Sequence, residues 1–449
     1  MSRNFAEAGR TATIVAAATP PAVGGVGIIR LSGPFALEAA APLAPAVPAN
    51  PASRFAYFTD LTDRAGAALD QGLFIYFRAP HSYTGEHVVE LQAHGSPKLL
   101  EMLQQEILQD DRVRPAEPGE FTRRAFLNAR VDLARAEAVA DLVAAESEAA
   151  VRAATSQMRG IFSTRIGQLR EPLLALRVEL EGQLNFPLET EGEEVDCRGK
   201  LSSVLEMAKA LLAQTQQGRL IRRGVRVALV GPVNAGKSTL FNQLLGEQRA
   251  LIDSDPGTTR DVLEARLELQ GLSVILLDTA GLRAKPGRVE ALGIARTLEA
   301  AESSDLVLLL LPADASDLER EGWISQLGNR PLLRVRSKVD LAPAAPSDGE
   351  IGVSGLTGEG IEGLRAALLS RLWTDGSPQA VEGTSARHAE ALRRVVQSLE
   401  RASEAERMST LEVVSGELGL ALEALGAITG ESATAELLDE IFRRFCIGK

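Results

Sequence analysis

The octapeptide Gly231-Pro232-Val233-Asn234-Ala235-Gly236-Lys237-Ser238 fits G-x-x-x-x-G-K-[ST], the phosphate-binding P-loop. Val225–Val230, just before it, is an apolar run of β type, and residues 239–245, just after it, read as a helix. That strand–loop–helix setting is what the motif needs. Such a loop wraps its backbone N–H groups around phosphate oxygens, so its glycines avoid β-carbon clashes, and the following helix presents its positive end. Asn234, Ala235, Gly236 and Thr239 would lie against the nucleotide, Lys237 would reach the β- and γ-phosphates, and Ser238 would ligate Mg²⁺. From residue 224 to about 374 strands and helices alternate, as a doubly wound P-loop domain requires.

Further motifs follow in the order such a domain demands. Asp278-Thr279-Ala280-Gly281 closes an apolar strand; its aspartate can hold Mg²⁺ through water and Gly281 can offer its N–H to the γ-phosphate. Between the two motifs lies Gly257-Thr258-Thr259-Arg260-Asp261, where Thr259 is placed to bring a hydroxyl to Mg²⁺ only while the γ-phosphate is present. Base reading is expected from Ser337-Lys338-Val339-Asp340 and from Ser354-Gly355-Leu356. Asp340 would accept from guanine N1–H and the 2-amino group, neither of which adenine offers, and Lys338 would pack over the ring; the nucleotide is therefore expected to be GTP. Ser337 stands where such motifs carry Asn, and its shorter side chain is expected to lose the bracing contacts of the amide; Gly355 stands where Ala is usual.

The rest of the chain frames this domain. Its 449 residues imply about three domains, and 45% hydrophobic with only 4% aromatic residues means cores of Ala, Leu and Val. A net charge of −12 argues against a broad nucleic-acid surface, so any RNA contact is local or carried by a partner. Two distant cysteines, Cys197 and Cys446, make no disulfide framework or zinc spacing. No run of about 18 apolar residues appears, so no membrane span is expected, and the Ala-rich start reads as a folded strand of a cytoplasmic protein rather than a signal peptide.

Short β-like runs up to residue 122 suggest an α+β domain, with a helix from about Lys98 and a loop or short helix over the Ala/Pro-rich stretch 39–52. Residues 132–217 and 384–445 carry helical periodicity, with Ile166, Leu169, Leu173, Leu176 and Leu180 on one face. Pro172 should kink that helix or mark a start, and the acidic segment 189–196 reads as an interhelical loop. One helical bundle with the P-loop domain inserted is the economical arrangement; two unrelated helical domains are the alternative.

With these motifs in place the chain resembles the MnmE (TrmE) family of tRNA-modifying GTPases. The resemblance is carried outside the nucleotide motifs by Gly24-Gly25-Val26-Gly27-Ile28-Ile29-Arg30-Leu31-Ser32-Gly33, His81-Ser82-Tyr83-Thr84-Gly85-Glu86 and Pro118-Gly119-Glu120-Phe121-Thr122. Arg124-Ala125-Phe126-Leu127-Asn128 and Cys446-Ile447-Gly448-Lys449 extend it. It implies a multidomain chain: residues 1–122 a folate-binding and dimerisation domain, 123–220 and 377–449 the two parts of a helical domain, and 221–376 an inserted Ras-like G domain.

It further implies a homodimer that joins the flavin-dependent partner MnmG (GidA) in a heterotetramer. Together they would add a carboxymethylaminomethyl group at C5 of the wobble uridine of certain tRNAs. The one-carbon donor would be a tetrahydrofolate derivative, 5-formyl or 5,10-methylene. Pairing of G domains with K⁺ would activate GTP hydrolysis.

By the same resemblance Asn234, Asp253, Asp255 and Thr258 correspond to K⁺ ligands, with Ser254, Pro256 and Gly257 in the same nucleotide-facing loop. Thr279 and Ala280 also belong to the nucleotide site, and Glu290 and Arg283 correspond to catalytic positions, Glu290 orienting the attacking water through a second water. Arg30, Glu86, Arg130 and Lys449 correspond to folate-binding positions, and Cys446 to a functional tail. A regulatory RNA- or ribosome-binding GTPase, and a folate enzyme gated by its G domain, share many of these motifs and remain as rival readings.

Overall fold

A computed structural model describes residues 12–185, 196–246, 263–278, 297–341, 349–372, 385–408 and 410–449. The chain divides into two compact units, one of residues 1–143, 158–204 and 394–449, the other of residues 144–157 and 205–393.

The first unit holds a six-stranded sheet of β1 (Thr13–Ala17), β2 (Gly24–Ser32), β3 (Ala56–Thr62), β4 (Ala68–Phe77), β5 (Val88–Gly95) and β6 (Val113–Pro115). The strand order is β3-β4-β5-β2-β1-β6, and every pairing is antiparallel except β1 with β6. Alternation assigns the two faces. Val15, Ile29, Leu31, Val89, Leu91 and Phe74 are buried on one, under α1 (Ala36–Ala40) and α2 (Pro97–Ile107). Helix α2 starts where its local chemistry places it: Pro97 sits in the first turn, and the Ser96 side chain accepts from the Leu99 N–H.

The opposite face carries Ile14 and Ala16, which pack with Ala116 and Phe121. The register sets Ser32 opposite Ile14, and Arg30 opposite both Ala16 and Glu90, so three polar side chains share that face. Over it lies α3 (Glu120–Leu127), which begins after Gly119 at φ +68°.

Helices α4 (Leu133–Val143), α6 (Ile161–Asn185), α12 (Leu411–Thr429) and α13 (Ala435–Phe442) complete this unit, with parts of α7 (Cys197–Arg223) and α11 (Ala386–Arg407). Leu133, Ala136, Leu438, Phe442 and Phe445 form one core. The expected apolar face of α6 is buried, and Ser415 on α12 donates to Glu181 on α6 at 2.6 Å. Helix α6 runs through Pro172 without a new start there. The buried Ile166 and Leu169 before it, and Leu173, Leu176 and Leu180 after it, anchor both turns against the lost N–H bond.

The C-terminal tail folds back onto this unit. The Gly119 N–H donates to the Cys446 carbonyl at 3.4 Å. Gly448, at φ +94°, passes so close to β1 that a β-carbon would lie 2.3 Å from the Ala17 carbonyl oxygen.

The second unit is a doubly wound sheet of β7 (Val225–Val230), β8 (Leu263–Leu269), β9 (Leu272–Asp278), β10 (Leu306–Pro312), β11 (Leu332–Ser337) and β12 (Glu350–Val353). Its order is β12-β11-β10-β7-β9-β8, parallel except for the β8–β9 hairpin. The hairpin turns on Gln270 and Gly271, both at positive φ, which suits the twist of a two-residue turn. Leu306 to Leu311 are all buried, as a strand covered on both faces demands.

Helices α5 (Glu148–Met158), α8 (Lys237–Leu245) and α10 (Ile361–Leu372) supply Ala149, Leu240, Leu244, Leu364 and Leu368 to the core on one face. Helix α9 (Asp317–Leu327) packs Ile324 and Leu327 on the other. Residues 148–157, expected as part of the helical region, thus pack with the nucleotide-domain sheet.

Gly448→Ala should undock the tail. Holding alanine at φ +94° with its β-carbon against Ala17 costs about 1–3 kcal/mol. Exchange of the Gly119 amide with deuterium should therefore quicken by roughly one to two orders of magnitude relative to the unaltered chain.

Candidate functional site

The P-loop, Asp278, Ser337 and Ser354 all lie at the carboxyl edge of the parallel sheet, where doubly wound folds bind ligands. At Gly231 (φ +152°) a β-carbon would lie 2.1 Å from the Leu310 carbonyl oxygen, so only glycine lets the loop leave β7 across β10. Asn234 (φ +64°) and Gly236 (φ +90°) take left-handed conformations just before α8, the backbone geometry by which consecutive N–H groups can face an anion at a helix start.

Lys237 folds back over the loop, its Nζ donating to the Gly231 and Pro232 carbonyls at 2.8 Å each. Burial lowers its pKa, and the Asp278 carboxylate only partly opposes this. Ser238 Oγ donates to Asp278 Oδ2 at 3.1 Å, so the two oxygens expected near Mg²⁺ meet. Oxygen donors of this kind suit a hard divalent cation.

Ser337 corrects one expectation. It is not too short to brace the base-reading loop: its buried hydroxyl donates to the Ala235 carbonyl at 2.6 Å, with the Leu311 carbonyl at 3.4 Å. Strand β11 ends directly against the P-loop, so a hydroxyl spans the gap. Beyond it Lys338 takes φ +60°, the Val339 N–H donates to Val353, and Asp340 is exposed.

The neighbouring loop is held by buried Ser354, whose Oγ accepts from the Thr357 N–H at 3.1 Å. Gly355 lies over the start of α8, where a β-carbon would meet Thr239 Cγ2 at 3.1 Å, a tight contact. Leu356 is exposed. Asp253, Ser254, Asp255, Pro256, Gly257, Thr258, Thr259, Thr279, Ala280, Gly281, Arg283 and Glu290 lie outside the described residues.

A second polar cluster sits on the α3-covered face of the first unit. Arg30 Nε donates to Glu90 at 2.8 Å and Nη1 to the Gly448 carbonyl at 3.1 Å, tying the tail to β2. Glu86 Oε2 accepts from Ser32 Oγ at 2.7 Å and from Arg124 Nη1 at 2.9 Å. The Tyr83 hydroxyl pairs with Thr122 at 2.9 Å, and burial raises its pKa. Arg130 is exposed and borders Gly85, whose β-carbon would stand 3.3 Å from Arg130 Cγ. Lys449 follows Gly448 and is half-buried, and Cys446 is exposed.

The structure thus brings Arg30, Glu86 and the tail to one face, with Arg130 at its border. Sequence reading missed Ser32, Glu90 and Arg124 as members of this cluster. Period-two alternation from Arg30 marks Ser32, but a charge buried in an amphipathic helix has no sequence signature.

Two family profiles match. The one described as the GTP-binding protein TrmE N-terminus covers residues 13–130, and the one described as the MnmE helical domain covers residues 133–446. The chain is 58% identical over 437 residues to the tRNA modification GTPase MnmE of Myxococcus xanthus (strain DK1622), spanning 97% of this chain and 99% of that protein. The chain belongs to the MnmE family. A relative of the same name from Thiobacillus denitrificans (strain ATCC 25259 / T1) is 43% identical over 442 residues, spanning 97% of this chain and 98% of its own. The helical profile of the MnmE family brackets the P-loop domain, so the helices on either side are one domain with an insertion. No helix among the described residues is long and apolar enough to cross a membrane.

Ser337→Ala should leave the Ala235 carbonyl without its buried donor, a loss of about 1–3 kcal/mol. The dissociation constant for fluorescent GDP should rise by roughly tenfold or more, while Ser337→Thr, which keeps the hydroxyl, should bind as the unaltered protein does.

Proposed function

We propose that this chain is a GTP hydrolase that acts in tRNA modification. The observation that carries the reading is the convergence of Lys237, the Ser238–Asp278 pair and Ser337 around one phosphate-sized loop. Lys237 exchanges its two loop carbonyls for β- and γ-phosphate oxygens, whose charge offsets the desolvation that lowers its pKa. Ser238 and Asp278 would hold Mg²⁺, and Thr259 would join them while the γ-phosphate is present. Asp340 and Lys338 read guanine.

In the reaction the oxygen of water bonds to the γ-phosphorus while the bond to the β–γ bridging oxygen breaks, giving GDP and phosphate. Glu290 orients that water through a second one, and Arg283 works beside it. Asn234, with Asp253, Asp255 and Thr258, would hold K⁺. Bound there, Mg²⁺ and K⁺ would supply positive charge where negative charge gathers on the phosphates. The exposed amide of Asn234 on a left-handed turn supports its part in this.

The first unit holds the one-carbon donor. Arg30, Glu86, Arg130 and Lys449 bind a tetrahydrofolate one-carbon donor, supported by the shared face of Arg30, Glu86 and the tail. The protein works as a cytoplasmic homodimer with the flavin-dependent partner MnmG (GidA). Together they place a carboxymethylaminomethyl group on C5 of the wobble uridine. The domains follow the limits 1–122, 123–220, 221–376 and 377–449.

Mass analysis of wobble uridines in tRNA from a deletion strain is the direct test. The C5 modification should vanish and return with the intact gene, and unaltered tRNA would overturn the reading. GTP turnover in KCl should exceed that in NaCl at equal ionic strength by roughly tenfold or more, the charge-stabilising role assigned to K⁺; equal rates would remove K⁺ from the mechanism.

A further inference from the structure

Glu86 uses only one of its two carboxylate oxygens. Oε2 accepts from Ser32 and from Arg124, while Oε1 has no hydrogen-bond partner among the described residues. The polarity of this arrangement is fixed. Ser32 spends its proton on the carboxylate, so it accepts from Thr84 at 2.7 Å, and Thr84 in turn accepts from the Glu86 N–H at 3.2 Å. The backbone is pinned as well: Ser82 donates to the Glu86 carbonyl at 2.6 Å, and Asn128 to that of Thr84 at 2.7 Å.

Arg124 is the cation that meets Glu86, and only 6% of its side chain is exposed. Its guanidinium spans from Glu86 to Glu120, which Nη2 meets at 2.9 Å, and also reaches the Ser32 and Ala12 carbonyls. Glu120 is in turn gripped at both oxygens by Arg114, at 2.6 and 2.8 Å. A guanidinium held at both ends cannot swing, so neither can the carboxylate that it holds.

We propose that Arg124 is a positioning residue of the one-carbon site. It locks Glu86 through Oε2, so that Oε1 stands as a fixed acceptor for the N–H groups of a cyclic amidine such as the 2-amino-4-oxo ring of a reduced pteridine. This rests on the folate reading above. Arg124 does not touch the ligand; it acts through Glu86. Its planar fork is essential, because a lysine keeps the charge but cannot bridge Glu86 and Glu120 with fixed geometry.

The test is calorimetric binding of 5-formyltetrahydrofolate to the full chain carrying Glu86→Gln, Arg124→Lys, both, or Ser32→Ala, with GDP affinity as the folding control. Arg124→Lys and Ser32→Ala should each weaken folate binding by roughly tenfold, the scale of one misplaced charge-assisted hydrogen bond. In the Glu86→Gln background Arg124→Lys should cost less than about twofold, since residues acting through one contact are not additive. Full affinity in Arg124→Lys, or a penalty undiminished in the double variant, overturns the inference. If Arg124→Lys fails the GDP control, Ser32→Ala decides, and unchanged affinity there overturns it. Tight binding by the unaltered protein that Glu86→Gln does not weaken removes Glu86 from the site, and the inference with it. No binding by the unaltered protein overturns the folate reading itself.

Discussion

The passage of Gly231 beneath the Leu310 carbonyl is the constraint on which the nucleotide end depends. A parallel sheet buried on both faces sets β7 and β10 side by side, and the chain leaving β7 must cross β10 with no room for a β-carbon. That crossing sends the loop over the edge, where Asn234 and Gly236 can take left-handed conformations and point N–H groups inward. The same proximity brings Ala235 within reach of Ser337 at the end of β11. The P-loop and the loop after β11 are thus joined through one hydroxyl.

The first unit solves a different problem. A sheet face that carries Arg30, Ser32 and Glu90 cannot be closed by an apolar helix alone. Helix α3 therefore brings both kinds of group: Phe121 packs with Ile14 and Ala16, while Arg124 holds Glu86, which accepts from Ser32, and Glu120 pairs with Arg124. Burial pushes the Glu120 carboxyl up, but Arg114, the Glu117 N–H and Arg124 outweigh it and hold it below the usual range. A carboxyl lowered in the folded state contributes stability that is present above its unfolded pKa and lost as pH falls through the folded one. The same helix starts at Gly119, against which Phe442 and Phe445 dock, so the tail and the polar cluster share one element.

How much of this was legible in the sequence depended on how local the cause is. The P-loop, the Asp278 strand end and the β11 loop are set by runs of a few residues, and each stands at the carboxyl edge of the sheet. The apolar face of α6 was equally plain, because period 3.6 survives Pro172. The bracing by Ser337 is not legible, because side-chain length alone does not say how near β11 ends to Ala235. The place of Arg124 is not legible either, because its partners, Glu86 and Ser32, lie 38 and 92 residues away and no pattern joins them. The closeness of Gly355 to Thr239 is likewise set by a contact between distant segments.

The net charge of −12 bears on how such a chain could serve a polyanion. A field of that sign repels RNA at long range, but at physiological salt exposed charges are screened beyond about 8 Å. Attraction therefore has to be local, made by groups within a few ångströms of the phosphates, or supplied by a partner. Four arginines of the first unit are committed to carboxylates: Arg124 to Glu86 and Glu120, Arg114 to Glu120, Arg112 to Asp110 and Glu38, Arg30 to Glu90. A guanidinium already paired with carboxylates adds little net positive potential. Arginines so committed leave the attraction of a polyanion to other groups close to it, because the long-range field of the chain works against it.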